Sequence, residues 1–408
     1  MQSDNEKGNL GRGGEAGWSA PVLGLGHGAA LPRVARGEND VLYMEDGHRC
    51  IDLFSGHGSV WLGHGNREIV GRVAEQLKGA WNTGGLPTAI GAEAAGLIES
   101  FFPGSHYGAA LYSTGMEAAE FAMRVARVAT GRGGVVGFEG SMHGKSMATA
   151  HLGWDNGDAV SLPGFRRLPF VQSECEGKIL EQLEEELRGG GVSAVFVEPI
   201  QGCSAGHAAT EGFYERVLEM CREHGAVSVF DEILTGFYRT GEAFCFARLK
   251  GVPDIVLIGK AMGNGFPVSG VVVNREIAVQ KRMLPGSTFA ANPLAAAAVA
   301  ATLKRMGVMP MGAMVGALEG IITRGLCPLR EIGVGVRGRG AMWILELPDG
   351  VEVWRIVAAC YRRGVLAGCT GRQIRVLPPV TIELGNLEMA CSVLREEVTA
   401  VLHGRVST

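Results

Sequence analysis

The chain has 408 residues, 46% of them hydrophobic, with a formal net charge of -4. That length and apolar content support one large and one smaller domain, while the slightly acidic balance without a Lys/Arg-rich block argues against a nucleic-acid partner. No apolar run reaches the roughly 20 residues of a bilayer span, and nine scattered cysteines without C-x-x-C spacing argue against structural zinc and fit a reducing cytoplasm.

The polar, glycine-rich start reads as a flexible tail over residues 1–20, followed by the N-terminal part of a small domain over 21–75. There "GENDVLYMEDGHRCIDLFSG" reads as a hairpin turning at Asp46-Gly47. A large domain is expected over 76–305, because helix-like stretches alternate with short aliphatic runs, the pattern of an α/β fold with a mostly parallel sheet. The strands fall at 108–113, 134–140, 193–199, 226–232, 254–260 and 268–274, and their nearly continuous apolar character predicts cover on both faces. Helices are expected over 116–130, 178–189 and 211–225, the last stopping on Gly225, and over 292–306. The small domain resumes over 306–408, with strands "AMWILEL" and "IRVLPPVTIE" and helices near 351–363 and 386–402.

In open α/β sheets, ligands gather beyond the carboxyl ends of strands, where Glu198, Asp231 and Lys260 are expected. A single charge there reads equally as a solvated strand end. Three together favour a site, since a carboxylate and an amine are costly to bury unpaired. Pyridoxal phosphate needs a lysine for a Schiff base, a carboxylate for its ring nitrogen and a phosphate cup. "YSTGMEAAEF", a strand running through a glycine turn into a helix, offers the cup, although an ordinary helix capped by Ser113 or Thr114 reads the same way.

The run "FDEILTGFYRTGEAFCFARLKGVPDIVLIGKAMGNGFPVSGVVV" resembles the signature of the class III aminotransferases, fold-type I enzymes that use pyridoxal 5'-phosphate. Similar motifs follow in order from about residue 30, among them "FEGSMHGKS", "VEPIQG", "GSTFAANPLA" and "IRVLPPVTI". The resemblance implies a mostly parallel seven-stranded sheet in the large domain and a smaller α+β domain from both chain ends. It implies that Lys260 forms the Schiff base and shuttles the proton, and that Asp231 pairs with the pyridinium nitrogen. Ile233 would cover a ring face, Gly115 and Met116 would bind the phosphate through backbone N–H groups, and Glu198 belongs to the cofactor's surroundings. Thr288 would reach the phosphate of the neighbouring subunit, which implies a homodimer with shared sites.

Some positions depart from the family pattern. Met116 replaces a Ser or Thr of the phosphate turn, and Met142 replaces an aromatic residue that stacks on the cofactor, so the ring contact falls to Met142 or His143. Leu234 stands where many members carry glutamine. Cys203 replaces the glutamate that in ornithine-type enzymes pairs with the arginine here represented by Arg375. Arg375 remains as a candidate for a substrate carboxylate, with a structural ion pair as the alternative. Lys145 is either a weak substrate clamp or a solvated lysine. His57 and Trp61, in "SGHGSVWLGHG", would line the mouth unless they only pack a glycine-rich loop. The partners implied are a small-molecule amino donor and a ketone or aldehyde acceptor, the latter expected to lack a second carboxylate and to come from biosynthesis. An aminomutase or an amino acid racemase/epimerase of the same fold is the alternative reaction; a cofactor-free binding module is disfavoured by the retained Asp231 and Lys260.

Overall fold

The chain is described from a computed structural model over residues 33–104, 106–154, 162–277 and 286–404; the tail expected over 1–20 lies outside the described residues. Three strands form first: β1 (Val34–Glu38), β2 (Val41–Met44) and β3 (Arg49–Asp52). β2 and β3 make the expected hairpin, with Gly47 at φ 89° and the Asp46 carboxylate accepting from the His48 backbone N–H at 3.0 Å. Such a φ suits glycine because no Cβ obstructs it.

The central sheet takes seven strands: β4 (Tyr107–Tyr112), β5 (Gly134–Phe138), β6 (Phe165–Leu168), β7 (Val192–Val197), β8 (Val227–Asp231), β9 (Ile255–Gly259) and β10 (Ser269–Asn274). They lie in the order β4-β10-β9-β8-β7-β5-β6. β10 runs antiparallel to both of its neighbours, and the other pairings are parallel. Alternation along each strand divides two cores. Val135, Ala194, Phe196, Val229 and Leu257 join Ala118, Ala122 and Val125 of the helix Gly115–Thr130, whereas Val136, Val195, Val197, Phe230 and Val256 face the larger core. This two-sided burial explains why the strands read as continuous apolar runs. β6 escapes such reading: its sequence is "FRRL", and its two arginines are exposed on the sheet's edge.

Capping residues end the helices where sequence chemistry requires. Thr210 accepts from the Phe213 N–H at the start of the helix Glu211–His224, and Gly225 ends it at φ 63°. Asn292 caps the alanine-rich helix Pro293–Gly307 by accepting from Leu294 and Ala295. No single described helix is long and apolar enough to cross a membrane.

The remaining strands are β11 (Gly335–Arg339), β12 (Met342–Glu346), β13 (Val365–Leu366), β14 (Gly368–Thr370) and β15 (Gln373–Val376). β13 joins the first sheet in parallel beside β3, and the others form a separate sheet ordered β11-β12-β15-β14. The strand expected over "IRVLPPVTIE" stops at Val376, because Pro378 and Pro379 have no N–H to give a ladder. The chain beyond it bonds instead to the N-terminal segment: Leu377 N–H donates to Leu53 O at 2.7 Å and Val380 N–H to Trp61 O at 2.8 Å.

Candidate active site

The carboxyl ends of β4, β5, β7, β8 and β9 converge on one cavity of about 320 Å³, lined by Gly115, Met116, Met142, His143, Glu198, Asp231, Ile233, Leu234 and Lys260 among others. A smaller cavity of about 220 Å³, beside Tyr214 and Cys245, contains neither Asp231 nor Lys260. Of the two adjacent carboxylates after β8, only Asp231 opens into the larger cavity. Glu232 is fully buried and turned to structure, accepting from Thr235 Oγ1 and, at 3.0 Å, from the Phe246 N–H.

Asp231 is held on both oxygens. His143 Nδ1 lies 2.8 Å from Oδ2, and the Ile233 N–H donates to Oδ1 at 3.2 Å. Both side chains are buried, and His143 Nε2 has no partner among the described residues. Glu198 acts as a brace, accepting from Met142 N–H at 2.8 Å and Gly202 N–H at 2.9 Å; burial pushes its pKa up to about 7. Lys260 follows β9 at φ 40°, a left-handed conformation that lysine adopts at a cost of about 1–3 kcal/mol. Burial pushes its ammonium pKa down; Asp231, Cys203 and Glu198 oppose that, and the charge of Arg375 adds to it.

The turn after β4 is fixed before any ligand arrives. Thr114 caps the helix Gly115–Thr130 by accepting from Glu117 N–H, Glu117 accepts from Ser113 N–H, and Ser269 Oγ donates to Thr114 O. Gly115 and Met116 occupy the first turn, whose N–H groups have no partner within the helix. A Cβ at Gly115 would lie 2.8 Å from Ile233 Cδ1, so glycine is what lets this turn close on Ile233. Met116 packs beneath Gly144, whose own Cβ would approach Met116 Cβ to 2.9 Å.

Arg375 is 5% exposed and has no carboxylate within ion-pair distance among the described residues. Nη2 lies 2.9 Å from His57 Nδ1 and 3.3 Å from Thr370 Oγ1, and Nη1 lies 3.9 Å from Cys203 Sγ. Its Nε is buried without a partner among the described residues. No ion pair with a described residue accounts for this guanidinium. Leu234 lies in an apolar cluster with Ile200, Met342, Ile344 and Leu377, and its Cδ2 occupies the space a Cβ at Gly202 would need.

Six expected contacts lie outside the cavity wall among the described residues: His57, Cys203 and Arg375, joined through the Arg375 guanidinium, and Trp61, Lys145 and Thr288. Trp61 belongs to the core rather than the mouth: it is fully buried, donates its Nε1–H to Phe237 O at 2.9 Å, and lies under the Arg239 guanidinium at 3.7 Å. Lys145 is exposed and is not part of the cavity wall, though its charge reaches Cys203. Thr288 is exposed and away from its own chain's cavity. Reading the sequence missed Ser59, Phe266 and Val268 in the cavity wall, and missed Arg239. The only local sign of Arg239 is an arginine amid the aromatic run "GFYRTG".

The donor set suits a cofactor carrying an aldehyde, a basic ring nitrogen and an anionic tail. An amine with a lowered pKa faces a carboxylate held on both oxygens, and a glycine turn at a helix N-terminus provides N–H groups for the anion.

Comparison with known proteins gives a consistent family. The model described as "Aminotransferase class-III" matches residues 26–398. The 5-aminovalerate aminotransferase DavT of Pseudomonas aeruginosa is 31% identical over 91% of this chain and 94% of its own. The 2-aminoadipate transaminase of Pseudomonas putida is 32% identical over 89% and 94%, respectively. Among solved structures, an amine transaminase from an uncultivated Pseudomonas species, in a PLP-bound form, superposes with a TM-score of 0.86 at 24% identity, covering 95% of this chain and 99% of that one.

Proposed function

The chain belongs to the class III aminotransferases, and from that premise we propose that Lys260 and Asp231 carry its chemistry and that Arg375 receives a carboxylate of the amino donor. The enzyme is a pyridoxal 5'-phosphate-dependent aminotransferase, moving an amino group from a small-molecule donor to a carbonyl acceptor. When bound, pyridoxal phosphate supplies an aldehyde that takes up the donor nitrogen and a ring that accepts the electron pair left by proton removal.

Each residue has a task matched to its surroundings. Lys260 Nζ holds the cofactor in the resting enzyme, and then takes the proton from the donor's amine-bearing carbon. The lowered pKa suits both, because a neutral amine is the reactive form. Asp231, fixed by His143 and Ile233 N–H, would be the partner of the ring nitrogen. Ile233 and Met142 would offer apolar surface to the ring, while His143 would act through Asp231. Gly115 and Met116 would hold the phosphate by backbone N–H groups; at Met116 the side chain adds no hydroxyl.

The observation that carries the donor assignment is a buried guanidinium with no carboxylate beside it among the described residues, whose charge acts to lower the Lys260 pKa. A buried cation without a counter-ion is costly, and a donor carboxylate would supply one. Arg375→Met should reduce kcat/KM for L-glutamate, L-alanine or 5-aminovalerate by about 10²-fold, the loss of roughly 3 kcal/mol from a charge-assisted pair. It should change single-turnover reaction with n-butylamine by less than threefold. Equal losses with acids and amine would reject the assignment.

We also propose a homodimer in the cytoplasm, with acceptors that lack a second carboxylate and belong to a biosynthetic reaction. Exposed Thr288 and Phe289, the latter 57% exposed, support a subunit contact, and nine free cysteines support a reducing compartment. Sedimentation should give twice the 43.0 kDa chain mass, with Thr288→Val weakening cofactor retention; a monomer that retains cofactor fully would contradict this.

A further inference from the structure

The loop leading to Ser59, a residue of the cavity wall, carries backbone strain that a polar group elsewhere must hold in place. Ser55, Gly56, His57 and Gly58 have φ values of 47°, 54°, 59° and 79°, four left-handed residues in succession, two of them not glycine. Such residues persist only where the surroundings over-determine them. At the start of the run, Asp52 Oδ1 accepts from the Phe54 and Ser55 N–H groups, both at 2.8 Å. At its end the Gly58 carbonyl accepts from Arg239 Nη2 at 2.8 Å.

Arg239 is fully buried and lacks a carboxylate partner among the described residues. Its Nη1 donates to Pro378 O at 2.6 Å and to Ala341 O at 3.3 Å, and its guanidinium stacks on Trp61. One end of this side chain therefore grips the residue after His57, and the other grips a carbonyl three residues after Arg375. His57 and Arg375 are themselves bonded at 2.9 Å, across 318 positions of sequence. A fully buried arginine is a poor way to fill space, whereas five fixed donors suit the joining of three carbonyls from separate segments.

We propose that Arg239 is a positioning residue for the carboxylate subsite: it locks the strained His57 loop to the Pro378 segment, and so fixes Arg375 for the donor's carboxylate. This rests on the role given to Arg375 above. The effect runs through His57 and Arg375 and leaves Lys260 and Asp231, on the ends of the central sheet, in place.

The test uses holoenzyme and compares kcat/KM for 5-aminovalerate with the single-turnover rate constant for n-butylamine. Arg239→Met, which keeps an apolar stem on Trp61, should lower the ratio at least tenfold, mainly through KM, while the amine reaction and the cofactor absorbance stay within threefold of wild type. On an Arg375→Met background it should lower the ratio no further, since both act on one subsite. Gly58→Ala, which leaves Arg239 intact but places a Cβ at φ 79° and 3.0 Å from Leu234 Cδ1, should shift the ratio in the same direction. Conservative Arg239→Lys should restore part of it. An unchanged ratio in Gly58→Ala or Arg239→Met, or equal loss with both donors, overturns the proposal. A wild-type enzyme that shows no preference for 5-aminovalerate would instead overturn the assignment of Arg375.

Discussion

Lys260→Ala is expected to abolish amino transfer, with kcat reduced by more than about 10⁴-fold, the upper range for losing a positioned general base alone. The loss exceeds that range because the same side chain also holds the cofactor. Borohydride treatment followed by mass spectrometry of the digested protein should fix the cofactor on the peptide containing Lys260 in wild type and on no peptide in the variant. Folding should survive. The substituted position already has φ 40°, so alanine adds no new backbone cost. Retention of more than a few per cent of wild-type activity, with the protein fully labelled elsewhere, would remove Lys260 from the chemistry.

Asp231→Asn separates attachment from activation. The amide has nearly the carboxylate's volume and still meets His143, but it brings no negative charge to the ring nitrogen. Leaving a buried charge without its partner costs about 3–5 kcal/mol, so kcat/KM should fall by about 10²- to 10⁴-fold. Borohydride should still fix cofactor on Lys260. A variant within tenfold of wild type would mean that the proximity of Asp231 to His143 is structural only.

Much of this could be read from residue order, and the exceptions have physical causes. Strands buried on both faces announce themselves as unbroken apolar runs, which made β5, β7, β8 and β9 legible. β6 did not, because an edge strand with two outward arginines has no such run. Asp231 and Lys260 were legible because each places a charge at the end of an apolar strand. His143 and Met142 could not be ranked from sequence, since neighbouring residues point in different directions and only the backbone decides which meets Asp231. Trp61 stayed open for a similar reason: a tryptophan in a glycine-rich loop suits a mouth or a core, and the deciding partners, Phe237 O and Arg239, are some 176 positions away in the first case. Arg239 itself was invisible, because carbonyls give no side-chain signature and its acceptors lie at 58, 341 and 378.

The pairing of β3 with β13 sets an order in time. Ile51 lies opposite Val365, so the first sheet lacks its fourth strand until most of the chain has left the ribosome. The seven strands of the central sheet are all available by residue 274, about ninety residues earlier. Contacts so distant in sequence close late and slowly. During synthesis, therefore, the strand ends that carry Asp231 and Lys260 can come together while Arg375 has yet to be made, and the subsite proposed around Arg375 is the last part of the site to form.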